Sequence, residues 1–143
     1  MPALAELLAR ADKDWRADAP PVPEAEFAAA IRRIGLPLPD KLIELYRLCN
    51  GGEGSLPWQP WYFLLWGICF VADVRESEHH REHYDCYVFF GSNGAGEYFG
   101  INAEGRVFFM DAVAGEESIT IYCGSFDEFV THIGVLPIKE QRV

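Results

Sequence analysis

Three histidines crowd one short polar stretch, His79-His80-Arg81-Glu82-His83. On a helix His79 and His83 would stand one turn apart, a spacing that can hold a divalent metal. A zinc protease needs glutamate directly after its first histidine. His80 occupies that place, so the H-E-x-x-H pattern fails. The expectation is exposed histidines in a charged segment, with no metal site. A small metal-dependent hydrolase using the His79–His83 cluster and nearby carboxylates is the alternative enzyme reading.

Other catalytic patterns fail for separate reasons. Cys49, Cys69, Cys86 and Cys123 form no C-x-x-C pair, so neither a zinc ribbon nor a redox motif is supported. Cys86 with His83, or Cys123 with His132, could be drawn as a nucleophile pair. Both cysteines sit among apolar residues expected to form strands, where a thiol stays protonated and inert. Neither has an evident third group to orient its base. No serine stands in a G-x-S-x-G elbow. The run Gly94-Ala95-Gly96-Glu97-Tyr98-Phe99-Gly100 is one residue too long for a dinucleotide loop. It leads into a strand, so no helix N-terminus awaits a phosphate. Carboxylate pairs such as Glu116-Glu117 and Asp127-Glu128 are ordinary in so acidic a chain. The sequence thus points to no catalytic residue, no metal and no cofactor.

What remains is surface chemistry. The 143 residues include 22 acids and 12 bases, a net charge of −10. A nucleic-acid binder needs a basic face, and no basic cluster exceeds Arg32-Arg33, so nucleic acid is excluded as a partner. The acidity is concentrated: residues 73–128 carry twelve acids and three bases. Such a field serves solubility, or it draws in a basic partner. For the second use the candidates are Glu76, Glu78, Glu97, Glu116 and Glu117. Trp58 and Trp61, each beside a proline in Pro57-Trp58-Gln59-Pro60-Trp61-Tyr62, are the candidate anchors.

The elements that must carry these groups follow from periodicity. Leu4, Leu7, Leu8, Ala11 and Trp15 share one helical face, which predicts a helix over 2–16. The prolines at 20, 21 and 23 make an extended connector. Helices are predicted over 24–34 and 39–49, each closed by glycine or by Asn50-Gly51-Gly52. Beyond this the pattern changes to short apolar runs. Residues 61–66 and 68–71 read as strand, and 72–83 as a solvated loop or short helix. Further strands are predicted over 85–90, 97–102, 106–112 and 118–123, joined by glycine-rich turns. Ser125 and Glu128 form an S-x-x-E capping box before the apolar face Phe126, Phe129, Val130 and Ile133. Helices, then strands, then a helix make a single α+β domain with a mostly antiparallel sheet. With 50% hydrophobic residues the chain can bury a core of its own. No run approaches the ~20 apolar residues of a membrane span, and no signal peptide is evident. The expected location is the cytoplasm, with no membrane contact.

The order of these signals resembles the SUKH superfamily, in the branch related to the fungal Smi/Knr cell-wall regulator. The matching pieces are Leu38-Pro39 opening a helix with Leu45-Tyr46, closed by Asn50-Gly51-Gly52. Next come Phe89-Phe90-Gly91 with its glycine turn through Phe99-Gly100, then Gly105-Arg106-Val107-Phe108, then Ser125-Phe126-Asp127-Glu128-Phe129-Val130. The resemblance divides the chain into an N-terminal helix and proline-rich connector (1–22), the Smi/Knr-like domain (23–134) and a tail (135–143). It implies a binding module without a catalytic centre. Many bacterial members of that superfamily look like immunity proteins that neutralise toxins, often nucleases, and fungal members act as signalling scaffolds. A nuclease toxin must be basic to hold nucleic acid, so an acidic inhibitor suits it. The expected partner is a basic toxin domain. A general scaffold without a toxin partner is the remaining alternative.

Overall fold

A computed structural model describes residues 3–137. Pro2, where the expected first helix begins, and the tail beyond Pro137 lie outside them. Six helices are described: α1 Leu4–Leu8, α2 Glu24–Ile34, α3 Asp40–Leu48, α4 Ile68–Glu76, α5 Glu78–His83 and α6 Phe126–His132. Seven strands are described: β1 Trp15–Ala17, β2 Gly52–Ser55, β3 Tyr62–Leu65, β4 Val88–Ser92, β5 Glu97–Ile101, β6 Val107–Asp111 and β7 Thr120–Cys123. The strands form one antiparallel sheet in chain order, each paired with the next. The protein is α+β, as the sequence order predicts.

The expected helices 2 and 3 form where the apolar stripes place them. In α2, Glu24 and Glu26 stand in the first turn and Arg32 and Arg33 in the last, complementing the helix dipole. Gly35 ends the helix at φ +73°, a conformation that favours glycine. The stripe Leu42, Leu45 and Tyr46 of α3 is buried, and the Tyr46 hydroxyl donates to the Trp66 carbonyl at 2.7 Å. In α6 the Ser125 hydroxyl accepts from the Glu128 N–H at 3.1 Å, which is the predicted cap.

Three expectations need correction. The helix read over 2–16 stops at Leu8, and Trp15–Ala17 is an edge strand on β2. Tertiary contacts override the helical stripe there. Trp15 stacks on Phe63 with ring centroids 6.3 Å apart, and Asp14 N–H donates to the Gly134 carbonyl at 2.6 Å. A Cβ at Gly52 would run into the Trp15 ring, so the glycines read as a helix stop also admit this strand. Residues 68–71 are helix, not strand. Ile68, Val71 and Ala72 are buried at helical spacing, and the Asn50 side chain accepts from Ile68 N–H at 2.8 Å. Periodicity alone cannot separate the two in so short an apolar run. Residues 85–86 form a turn, and β4 begins at Val88.

Alternation along the strands gives the sheet two apolar faces. Phe63, Phe90, Phe99 and Phe109 belong to the main core with Phe126 and Phe129 of α6. The rings of Phe63 and Phe129 meet edge to face, 5.0 Å apart. Phe89, Phe108 and Met110 form a smaller core on the second face, joined by Tyr84, Tyr87, Tyr98 and Trp66. Gly100 makes this second layer possible: a Cβ there would lie 2.8 Å from the Phe89 ring and also strike Phe108.

Candidate functional site

The histidine segment is helical, and its three rings do different things. His80 is 2% exposed, against an expectation of exposed histidines. Ser77 caps α5 by accepting from His80 N–H at 3.2 Å, and the turn carries the His80 ring onto Phe89, 5.3 Å away. His80 Nε2 lies 2.9 Å from the Tyr87 carbonyl oxygen. A carbonyl only accepts, so Nε2 carries the proton and Nδ1 the lone pair. Burial pushes the His80 pKa below its ordinary value, against the opposing effect of the Tyr87 carbonyl. His79 and His83 stand one turn apart as the spacing requires, ring centroids 4.8 Å apart. Among the described residues no group of three or more His, Cys, Asp or Glu side chains is gathered for a metal.

Burial raises the pKa of three of the four thiols, Cys49, Cys69 and Cys123, and so holds them protonated; at Cys69 the Glu26 carboxylate adds to the effect. Cys123 is pushed up to about 11, and its Sγ donates to the Ser125 carbonyl oxygen at 3.3 Å. Cys86 departs from the expectation of a buried strand thiol: it is exposed in the turn before β4.

The five candidate glutamates separate into two kinds. Glu76 is engaged: Arg33 of α2 binds it at 2.7 Å and also binds Asp73, and this bonding holds the Glu76 carboxyl below its usual range. Glu78 on α5, Glu97 at the start of β5, and Glu116 and Glu117 in the 3₁₀ turn Gly115–Ser118 have no basic partner among the described residues. Glu116 accepts from the Tyr87 hydroxyl at 3.1 Å, and Glu97 from the Asn93 amide at 3.0 Å. Glu97 pairs across the sheet with Asp111, and the 3₁₀ turn follows β6 closely, so three of the four sit at one end of β5 and β6.

Trp58 and Trp61 lie in the β2–β3 loop and are 43% and 49% exposed, as an anchor would have to be. Trp58 leans on β7 and α6, its ring 6.1 Å from Tyr122 and 4.7 Å from His132. Trp61 holds φ at +76°, a left-handed backbone that bulky residues avoid. Such strain persists where surrounding contacts impose it, here the Leu56 N–H to Trp61 carbonyl bond at 3.0 Å and the Trp61 N–H to Trp58 carbonyl bond at 2.9 Å. No hydrogen bond or aromatic contact joins either tryptophan to any of the five glutamates.

The second face carries an aromatic strip that no local pattern in the sequence marks. Phe70, Trp66, Tyr98 and Phe89 follow one another with centroids 5.0, 5.4 and 5.8 Å apart. Phe70 is 51% exposed, although it falls in a run read as strand. Its helical setting on α4 was the missing information. Among the described residues no helix is long and apolar enough to cross a membrane.

A family model described as SMI1 / KNR4 family (SUKH-1) matches residues 21–132. No curated protein matches the chain.

Proposed function

Because the chain belongs to the SMI1 / KNR4 family (SUKH-1), we propose that it is a non-enzymatic protein-binding domain that neutralises a basic toxin, for instance a nuclease. The observation that carries this reading is the uncompensated acid. Glu78, Glu97, Glu116 and Glu117 lack basic partners among the described residues, while Arg33 is spent on Asp73 and Glu76. Unpaired surface carboxylates of one sign repel each other, and a basic partner relieves that repulsion while gaining a faster encounter. Trp58 and Trp61 supply exposed aromatic area for the holding contacts. The working unit is residues 23–134, with 1–22 a lead-in and 135–143 a tail, and the place of action is the cytoplasm.

The reading is tested with the toxin domain that it requires to be encoded beside the gene. Co-expression should protect the host, and the two purified proteins should form a stoichiometric complex by native mass spectrometry. A toxin domain that stays unbound and fully toxic would overturn the proposal.

A further inference from the structure

We infer that the cleft between α5 and the second face of the sheet receives an arginine side chain presented by the partner. This rests on the proposed function for the basic character of that partner. The cleft encloses about 270 Å³ and is walled by Val74, His80, Tyr84, Phe89, Tyr98 and Met110. That is just below the ~300–1,000 Å³ of sites for whole small molecules, and so suits a single side chain.

Its chemistry points to a planar cation. Tyr84 meets Phe89 at 5.3 Å and 69°, and Phe89 meets Tyr98 at 5.8 Å and 57°, so three aromatic rings converge from different directions. Aromatic faces are electron-rich and attract cations, and guanidinium also stacks on them. One wall is His80, whose Nε2 is committed to Tyr87 and whose buried Nδ1 has no hydrogen-bond partner among the described residues. Nδ1 is closed off from solvent, so the wall that His80 presents is its ring. Arginine brings five N–H donors and no acceptor; lysine brings charge but no stacking plane.

The surrounding charge has the right sign. Glu78 begins α5, and Glu116 holds the hydroxyl of Tyr87, whose ring stacks on Tyr84 at 6.3 Å. The Tyr84 hydroxyl lies over Gly115, within the same acidic turn. Of the nearby cations, Arg75 is already bound to the Ile34 carbonyl, the Asp85 carbonyl and the Asp85 carboxylate, leaving Arg81 on α5 as the opposing charge.

The test is an NMR titration of the whole protein with acetyl-Gly-Arg-Gly-amide, beside the same peptide carrying lysine or citrulline. The arginine peptide should give saturable shifts at the Tyr84, Phe89 and Tyr98 rings and at the His80 ring. The neutral citrulline peptide should bind at least tenfold more weakly, and lysine should fall between. Ala112→Trp, at a residue that lines the cleft, should abolish the shifts; Val74→Phe, from α4, is the second blocking variant should the first fail to fold. Equal binding of arginine and citrulline, equal binding of arginine and lysine, or undiminished binding to a folded blocked variant would overturn the inference. Arginine binding with an indifferent toxin domain would uphold the cleft and remove the proposed function. A toxin domain that binds the blocked variant as it binds the wild type would overturn the cleft and keep the function.

Discussion

Trp58 and His132 meet edge to face with ring centroids 4.7 Å apart, and Tyr122 lies 5.4 Å from the same histidine. Beneath Trp58 the Tyr122 hydroxyl and His132 Nδ1 are buried without hydrogen-bond partners among the described residues. Burial pushes the His132 pKa down and the Tyr122 pKa up. A side chain so exposed on one side thus roofs two polar groups on the other. Trp58→Ala should uncover them and move the His132 titration midpoint up toward its ordinary value near ~6.5. Imidazole chemical shifts followed against pH check this, and an unmoved midpoint would mean that Trp58 is not the roof.

Two histidines, His80 buried and His132 half-buried, set the acid side of the stability profile. His80 and His132 both have folded-state pKa values below the ordinary one, with burial the first cause. The unfolded chain therefore takes up protons first as pH falls through about 6.5, and stability drops with it. Above that range these two groups contribute no slope. Asp111, held down by the Ala114 and Val113 N–H groups, acts only lower, as pH falls through the ordinary carboxylate range near ~4. Urea denaturation from pH 8 to 5 should show the loss, and His80→Gln should flatten it. A flat wild-type profile would contradict the lowered pKa of both rings.

The closing helix should report its cap and its core separately. Ser125→Ala should cost about 0.5–2 kcal/mol through loss of the bond to Glu128 N–H. Phe129, fully buried, should cost roughly 3–5 kcal/mol when cut to alanine. Chemical denaturation of the two variants gives both numbers, and equal small effects would mean that the helix is not seated on the core.

The sequence carried the fold where one residue type could do only one thing. Ser125 three residues before Glu128, the Leu42–Leu45–Tyr46 stripe and the glycine turns between strands each left a local mark. It misled where a distant contact decided. Trp15 completes a helical stripe yet is held on β2 by Phe63 and Asp14, and β2 itself, Gly-Glu-Gly-Ser, contains no strand-forming residue. The candidate surface was legible as residue types only. Glu76 and Glu78 look alike in sequence; Arg33, 43 residues from Glu76, distinguishes them. His80 looked like its neighbours until the turn of α5 put it under the sheet face.

Gly100 provides a packing test of the second face. Gly100→Ala drives a methyl group into Phe89 and Phe108. Overpacking of this kind costs about 1–3 kcal/mol. Thermal unfolding checks it, and a neutral result would mean that the two rings can part freely.

Trp61 is expected to matter for binding and little for stability. Asparagine tolerates φ near +76° better than tryptophan does, and the indole is 49% exposed. Trp61→Asn should change stability by no more than ~0.5 kcal/mol, the usual range for surface substitutions. It should speed dissociation of the partner several-fold. Unaltered dissociation would remove Trp61 from the interface.

Association kinetics with the toxin domain across a salt series test the central claim most directly. Charges act over a Debye length of ~8 Å at physiological ionic strength and less as salt rises. The association rate should fall at least about tenfold from low to high salt. Glu78→Lys with Glu117→Lys should slow association at low salt, leave dissociation nearly unchanged, and flatten the salt dependence. An association rate indifferent to both salt and charge reversal would contradict the account and leave the acidity to serve solubility alone.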